Sequence, residues 1–490
     1  MMAPRMLRCL ALGLLAGAAC GGGGGGDAVG EPADASPYYF PEGGNAAGDG
    51  GGGAGFPGTR ISARAAAIVG VSADGAWTAY SEGETLFAAP TGGGDEIELG
   101  DALVLAFFDG NALVIYEGDF SAGGYDLSIW LPGAEAPERI VGDAWGDVGV
   151  APDLAHLWFT RTNDDGDARI VVSEIDGSAA ETIAPDVWAS SGCRPRGGFL
   201  GDGALVLSYC PAQSGPDDPR TVLHYAIGGE VEIVDDAARA WVTLSPTGDA
   251  FAYARDGQAV RVMALDGAVL AEDDGDEAVS SILFTPDGET IVYPDDRDQI
   301  RALAVAGGFA AATIAEGVDV AAISPEGARA LVATRVDGNG FAALVIAALD
   351  GGDTLTLEDG TEAAASGFTT DGAFVVWRDD AAEWGNGYWT YSVRARATGG
   401  EGEPVRLAER AWPPLLAADG RIVVVADINP RDTSGRLVLA SAATGEVETL
   451  ADGVFLQAAL VPPDGRAIVY SVVDPEREGD DFGVYVLALP

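Results

Sequence analysis

Lysine is missing altogether. All 27 basic residues of the 490-residue chain are arginines, set against 76 Asp and Glu, for a formal net charge of -49. Without lysine there is no Schiff base and no lysine general base. Nucleic acid needs clustered basic side chains on its phosphates, so it is excluded as a partner. The field of such a chain favours cations and basic proteins over anionic polymers. Histidine is nearly as scarce. His156 and His224 sit in separate strand-like stretches, "AHLWF" and "TVLHYAI", and read as structural residues rather than a shared metal site. No G-x-S-x-G elbow and no α/β segment to carry one are present, so a Ser-His-acid triad is not expected and no catalytic residue is nominated.

Cysteine is the next scarcity: Cys9, Cys20, Cys193 and Cys210. The first two belong to an export signal over residues 1–20. Arg5 and Arg8 charge its start, an apolar run follows, and small residues lead into Cys20. The run holds about a dozen apolar residues, short of the roughly 20 that span a bilayer. Small residues ending in Cys resemble the lipobox of bacterial lipoproteins, which implies lipidation at Cys20 and a membrane anchor. Gly17 departs from the leucine usual at its place, and an ordinary cleaved signal is the alternative. Residues 21–58, opening on six glycines, have too little apolar content to offset ordering entropy and read as a disordered tether. As a Gly-rich coil of about 38 residues, its reach is roughly 35 Å. An exported, membrane-anchored protein facing the periplasm or the cell surface is the expectation.

Residues 59–490 are repetitive, and repeats decide a fold. "TPDGETIVY" (Thr285–Tyr293) and "PPDGRAIVY" (Pro462–Tyr470) are nearly identical. Relaxed copies begin at Ser72, Ser245, Ser324, Thr369 and Ala417, and weaker ones at Phe108, Ala151 and Leu200, giving about ten in all. Each copy places an Asp-Gly turn between two apolar strands, Gly taking the positive φ the turn demands. A third strand follows, as in "VRVMALDG" (Val260–Gly267), and then a short fourth. Helical signals are nearly absent. Four antiparallel strands recurring about every 40 residues predict an all-β chain, a β-propeller of four-stranded blades. The Ser/Thr-Pro-Asp-Gly turn followed by an Ile/Val-Tyr strand resembles the TolB-like (WD40-like) propeller repeats of bacterial envelope proteins. The Gly-His and Trp-Asp marks of true WD repeats are missing.

The last copy ends on its third strand, "FGVYVLALP" (Phe482–Pro490), while "TRISARA" (Thr59–Ala65) is a spare strand before the first copy. The spare strand is expected to complete the last blade. Ten blades exceed the usual four to eight; one ring is favoured over two five-bladed rings. A two-residue turn at Gly201–Asp202 would set Leu200 opposite Gly203 and, seven steps out, Cys193 opposite Cys210. Facing positions on paired strands are close enough for a disulfide, which an exported protein can form.

Connections after the first and third strands are short and stereotyped, whereas those after the second and fourth vary. The variable set includes "CPAQSGPDDPR" (Cys210–Arg220), "DDAAEWGNGYW" (Asp379–Trp389), "INPRDTSG" (Ile428–Gly435) and "WASSGCRPRGG" (Trp188–Gly198). Variable loops at one end of a repeat scaffold are where recognition sits. Trp384, Tyr388 and Trp389 are aromatics of the kind favoured in interface hot spots. Arg194 and Arg196 stand out in so acidic a chain. Acidic runs at Asn163–Ala168, Asp295–Asp298 and Asp474–Asp481 lack EF-hand spacing and read as solvated turns, with calcium the lesser reading and no other cofactor expected. The functional expectation is a monomeric, non-enzymatic envelope scaffold binding a protein through its loop-rich face. A glycan or small-ligand binder is the alternative, and a calcium-dependent propeller hydrolase a more distant one.

Overall fold

The computed structural model describes residues 57–64, 66–101, 103–118, 124–162, 168–188, 194–201, 203–212, 214, 218–239, 241–255, 258–273, 281–306, 311–336, 342–383, 389–417, 420–429, 434–461, 465–472 and 482–489. The export signal, Cys20 and the tether up to residue 56 lie outside these, as do Cys193, Trp384, Tyr388, residues 163–167 and residues 474–481. Trp389 is described in its backbone only.

The described strands make up the fold, with no α-helix among the described residues and the described strand pairs antiparallel. The chain divides into two compact units, residues 104–359 and residues 57–103 with 360–490. The boundary falls inside one long strand, Thr354–Phe368.

The first unit contains six consecutive four-stranded blades, and their second strands are the repeat copies of the sequence. The blade of "TPDGETIVY" shows the pattern: Leu283–Phe284 (β21), Thr290–Pro294 (β22), Gln299–Ala304 (β23) and Ala312–Glu316 (β24), paired in that order. The preceding blade comprises Thr243–Leu244 (β17), Ala250–Arg255 (β18), Gln258–Ala264 (β19) and Val269–Asp273 (β20). Glu138–Val150 (β9) serves twice, as the fourth strand of one blade and the first of the next.

The blade of β22 is covered on both faces, which is why its second strand reads as an unbroken apolar run rather than an alternating one. On β22, Ile291 and Tyr293 pack into a core with Ala252, Val262 and Phe284 of the same and preceding blades. Val292, between them, points the other way onto Val320, Val332 and Ala347 of the following blade. All three are fully buried, and burying each large apolar side chain stabilises by roughly 1.5–3 kcal/mol.

Three of the turns are built alike. Thr285 Oγ1 donates to Asp287 Oδ1 at 2.6 Å, Glu289 N donates to the same oxygen at 3.0 Å, and Thr290 N donates to Thr285 Oγ1 at 3.0 Å. Ser72, Asp74 and their neighbours repeat this geometry, as do Thr369 and Asp371. Such local bonds let Ser, Thr and Asp outcompete a continued ladder. Gly288 carries φ +72°, and a methyl group there would meet Ser245 Oγ and Thr247 Oγ1 of the preceding blade's turn at 2.7 Å. Adjacent turns therefore abut.

The second unit has four blades. The expected spare strand is Thr59–Ser62 (β1), which pairs antiparallel with Gly483–Ala488 (β37), Thr59 opposite Val486 and Ser62 opposite Val484. It supplies the fourth strand of the blade whose second strand is Ala467–Val472 (β36).

One expected register is corrected. Arg196–Phe199 (β13) pairs with Leu205–Tyr209 (β14) so that Phe199 faces Leu205 and Arg196 faces Ser208. Leu200 N donates to Ala204 O at 2.7 Å, so the loop spans residues 201–203 and closes on Gly203 at φ +85°. A three-residue loop ending on a left-handed glycine replaces the two-residue turn. Extending this register sets Cys210 opposite position 194, one residue away from Cys193.

Candidate functional site

The structure brings Arg194 and Arg196 together at the start of β13, where the fourth-to-first and second-to-third connections of the first unit's blades emerge. Three further residues join them. Asp147 comes from β9, Arg220 opens Arg220–Tyr225 (β15), and Trp241 precedes β17.

Trp241 is the organising group. The Arg220 guanidinium carbon lies 3.5 Å from its ring centroid and that of Arg196 4.7 Å. A cation over an indole face is held by the ring quadrupole, and the indole shields it from water. Ser208, fully buried on β14, ties the backbones together: its Oγ donates to Arg196 O at 3.3 Å and accepts from Val242 N at 3.1 Å. The first strands of two successive blades are thus fixed to each other at the point where their arginines and tryptophan meet.

The charges are close and only partly compensated. Arg194 Nη1 is 3.9 Å from Asp147 Oδ1. Asp147 Oδ2 is buried with no hydrogen-bond partner. Burial raises the Asp147 carboxyl above the usual range, and the charges of Arg194 and Arg196 pull it back only in part. Arg220, 7 % exposed, also donates to Cys210 Sγ at 3.3 Å. Burial, and then the like charge of Arg196, brings its guanidinium down to about 10. It stays cationic at neutral pH. Arg196 is exposed, and among the described residues no carboxylate pairs with it. Three arginines thus gather near one described carboxylate, Asp147, in a chain of net charge -49.

Arg194 and Arg196 are visible in the sequence as basic residues within a variable segment. Arg220 ends the variable loop Cys210–Arg220, but the sequence does not single it out. Asp147 and Trp241 carry no sequence signal that separates them from many other acids and aromatics.

The aromatic loop belongs to the other unit. Trp384 and Tyr388 lie outside the described residues, and Trp389 opens Trp389–Ala397 (β30) opposite Glu383 of Phe374–Glu383 (β29). The strands bearing this loop carry an ionic network: buried Asp379 pairs with Arg394, and Asp380 Oδ2 stands 3.6 Å from Arg394 and 3.4 Å from Arg406. Arg378 lies over Tyr391 at 4.7 Å.

The histidines are placed in separate blades. His156 begins His156–Thr162 (β10) opposite Glu174, and His224, on β15, has Nδ1 3.9 Å from Glu232 Oε2. In the run Asp295–Asp298, Asp295 Oδ1 accepts from Arg297 N at 2.9 Å and Gln299 N at 3.0 Å, and Oδ2 faces Arg301 at 3.5 Å. That carboxylate is occupied by its own turn. Among the described residues, no group of three or more His, Cys, Asp or Glu is arranged to hold a metal ion.

No family model matches the chain, and no curated protein matches it. Solved structures with which it aligns include an eukaryotic initiation factor at 13 % identity, over 71 % of this chain and 87 % of that one, with a TM-score of 0.47. A putative TolB from Agrobacterium tumefaciens aligns at 18 % identity over 53 % and 94 %, TM-score 0.26. TolB from Acinetobacter baumannii aligns at 16 % over 67 % and 75 %, TM-score 0.26. The assignment of a β-propeller fold rests on the strand order and repeat register above, and these likenesses add no residue role to it.

Proposed function

We propose that the chain is a non-enzymatic binding scaffold of the bacterial envelope, exported by residues 1–20, anchored through lipidated Cys20 and held off the membrane by the tether. Its partner is a protein, taken up as a monomer through the loop-bearing ends of the blades. The observation that carries this reading is the contrast between the two ends of the first unit's blades. At one end, short turns closed by the same backbone bond, Gly248 N to Ser245 O, Gly288 N to Thr285 O and Gly327 N to Ser324 O, abut and leave little to vary. At the other, where connections of differing length begin and end, Arg196 and Arg220 gather on Trp241. A uniform end suits structure and a variable end suits recognition.

A Cys193–Cys210 disulfide belongs to the same reading. It is supported by the disulfide-bonded state of Cys210, which is fully buried beside Arg220. A ligand-binding role, glycan or small molecule, is the second reading, favoured by the exposed cation Arg196 on its indole platform. A calcium-dependent hydrolase draws less support, because the described acidic run at Asp295 is satisfied internally.

Crosslinked capture from envelope extract tests the scaffold reading. The intact protein is compared with two variants, one with Trp384, Tyr388 and Trp389 changed to Ala, the other with Arg194 and Arg196 changed to Ala. A protein captured by the intact chain and lost in either variant supports the reading and identifies the loop responsible. Equal capture by all three, or none by any, rejects it.

A further inference from the structure

We propose that Arg194 and Arg196, backed by Arg220 on Trp241, form a subsite for a single oxyanion group, a carboxylate or a phosphate, carried by whatever binds this end of the blades. The inference rests on the scaffold reading only for which end of the blades is used; anion binding itself needs no partner protein.

Position is the first argument. Long-range charge in this chain repels anions, so a cationic cluster here is a local device, acting at contact distance. With about a Debye length of 8 Å at physiological salt, exposed charges elsewhere on the surface are screened from the site. What a ligand meets there is the exposed Arg196 guanidinium and half-buried Arg194, with buried Arg220 behind them on the same indole as Arg196.

Pre-organisation is the second. Free arginine side chains lose much rotamer entropy on binding. Here Arg196 lies over Trp241, and its backbone is tied through Ser208 to the strand that follows Trp241. Arg220 is locked by burial against the same indole and Cys210. Guanidinium forks match the geometry of carboxylate and phosphate oxygens, and Arg presents them on a planar face that stacks.

Unfinished pairing is the third. Arg196 is exposed with no carboxylate of the described residues against it, and Arg194 meets Asp147 only at 3.9 Å, beyond hydrogen-bond distance. The like charges of Arg196 and Arg220 oppose each other across one indole, adding to the burial that chiefly lowers the Arg220 value. An oxyanion between them removes that repulsion. Asp147 Oδ2, buried and unpartnered, lies beside Arg194.

The test is calorimetric titration of the full-length protein in detergent with inorganic phosphate, acetate and glucuronate, each at ionic strength matched with chloride. Wild type, Arg196→Ala, Arg196→Lys and Arg139→Ala are compared; Arg139 is exposed and pairs with Asp126, away from the cluster. The expected result is saturable binding of at least one probe, weakened about tenfold or more by Arg196→Ala, part-restored by Arg196→Lys and unchanged by Arg139→Ala. Binding of phosphate alone assigns a phosphate-bearing ligand; binding of acetate and glucuronate without phosphate assigns a carboxylate. Absence of saturable binding for all three probes overturns the inference, as does equal binding by Arg196→Ala. Neither outcome bears on envelope capture, so the two readings fail separately.

Discussion

Tyr293 Oη donates a 2.6 Å hydrogen bond to Asp273 Oδ2, joining the second strand of one blade to the fourth strand of the blade before it. Both groups are buried, and Arg301 Nη2 approaches the same oxygen at 3.3 Å. The preceding junction repeats the device: Tyr253 Oη donates to Asp235 Oδ2 at 3.0 Å, with Arg255 at 2.8 Å and Arg261 at 3.7 Å. The terminal tyrosine of the repeat motif is therefore a clasp between blades as well as core. Tyr293→Phe keeps the packing and removes the donor, and is expected to cost about 1–2 kcal/mol. Tyr293→Ala also opens a cavity and should cost about 3–5 kcal/mol. Urea denaturation measures both; a Phe variant as stable as wild type would show that Arg301 alone satisfies Asp273.

The clasps give the fold an alkaline limit. Burial, followed by the neighbouring Asp235 charge, pushes the Tyr253 phenol up to about 12. The Tyr293 phenol is raised further by burial and its bond to Asp273. The folded state thus holds protons that the unfolded chain releases near pH 10. Stability from these phenols is complete below about pH 10 and is lost as pH rises through about 12. Thermal melts between pH 9 and 12, followed with tyrosinate absorbance, should show this decline. Tyr253→Phe should flatten it, and a melting temperature independent of pH over that range would refute the account.

Gly288 supports a comparison of two glycines. Its φ is +72°, and a methyl group would press on Ser245 Oγ and Thr247 Oγ1. Gly267, at φ +82°, has open space around the same position. Gly288→Ala combines strain with a clash and is expected to cost about 2–3 kcal/mol, Gly267→Ala about 1 kcal/mol from strain alone. Equal shifts in denaturation midpoint would mean that the abutting turns yield at no cost.

What was legible in the sequence is what repeats. The Asp-Gly turns, the Tyr at the end of the second strand and the spare strand at Thr59 each follow from local chemistry expressed several times. The pairing of Leu200 with Ala204 was not legible, because "LGDGA" fits a two-residue and a three-residue loop alike. In the folded chain Ser208 of β14 bonds both Arg196 O of β13 and Val242 N ahead of the next blade, a long-range tie that goes with the three-residue loop and that no local pattern shows. The arginine cluster was half visible for a related reason. Arg194 and Arg196 are near in sequence, but Arg220, Trp241 and Asp147 reach them from three other strands, and no short-range pattern encodes that meeting.

The proposed Cys193–Cys210 pairing has a direct consequence for stability. The closed loop is close to the 15-residue case for which cross-linking contributes about 3 kcal/mol. Cys210 is fully buried next to Arg220, so the bond also bears on the placement of the arginine cluster. Intact mass under non-reducing conditions should show a loss of two hydrogens, and Cys193→Ser should lower stability by about 2–4 kcal/mol. Two alkylatable thiols at these positions in the folded, exported protein would disprove the pairing.

The β1–β37 pairing puts the strand nearest the tether at the edge of a blade near the other end of the described chain. Ile61 packs with Tyr80, Val469 and Val484, and Ser471 Oγ donates to Ala66 O at 2.6 Å. Tyr470, the motif tyrosine of this blade, donates to Pro57 O. Where other blades clasp with a carboxylate, this one uses the backbone of the incoming strand. Removing residues 57–65 strips β37 of its partner and leaves its edge groups open to pairing with other chains. Ile61→Asp places an unpaired charge in the same core. Both changes are expected to produce a destabilised protein that self-associates, read by light scattering on a sizing column. A synthetic peptide of residues 57–66 should restore the monomer for the truncated protein, since it returns both the strand hydrogen bonds and Ile61. A truncated protein that remains monomeric and fully stable without the peptide would show that this blade holds with three strands.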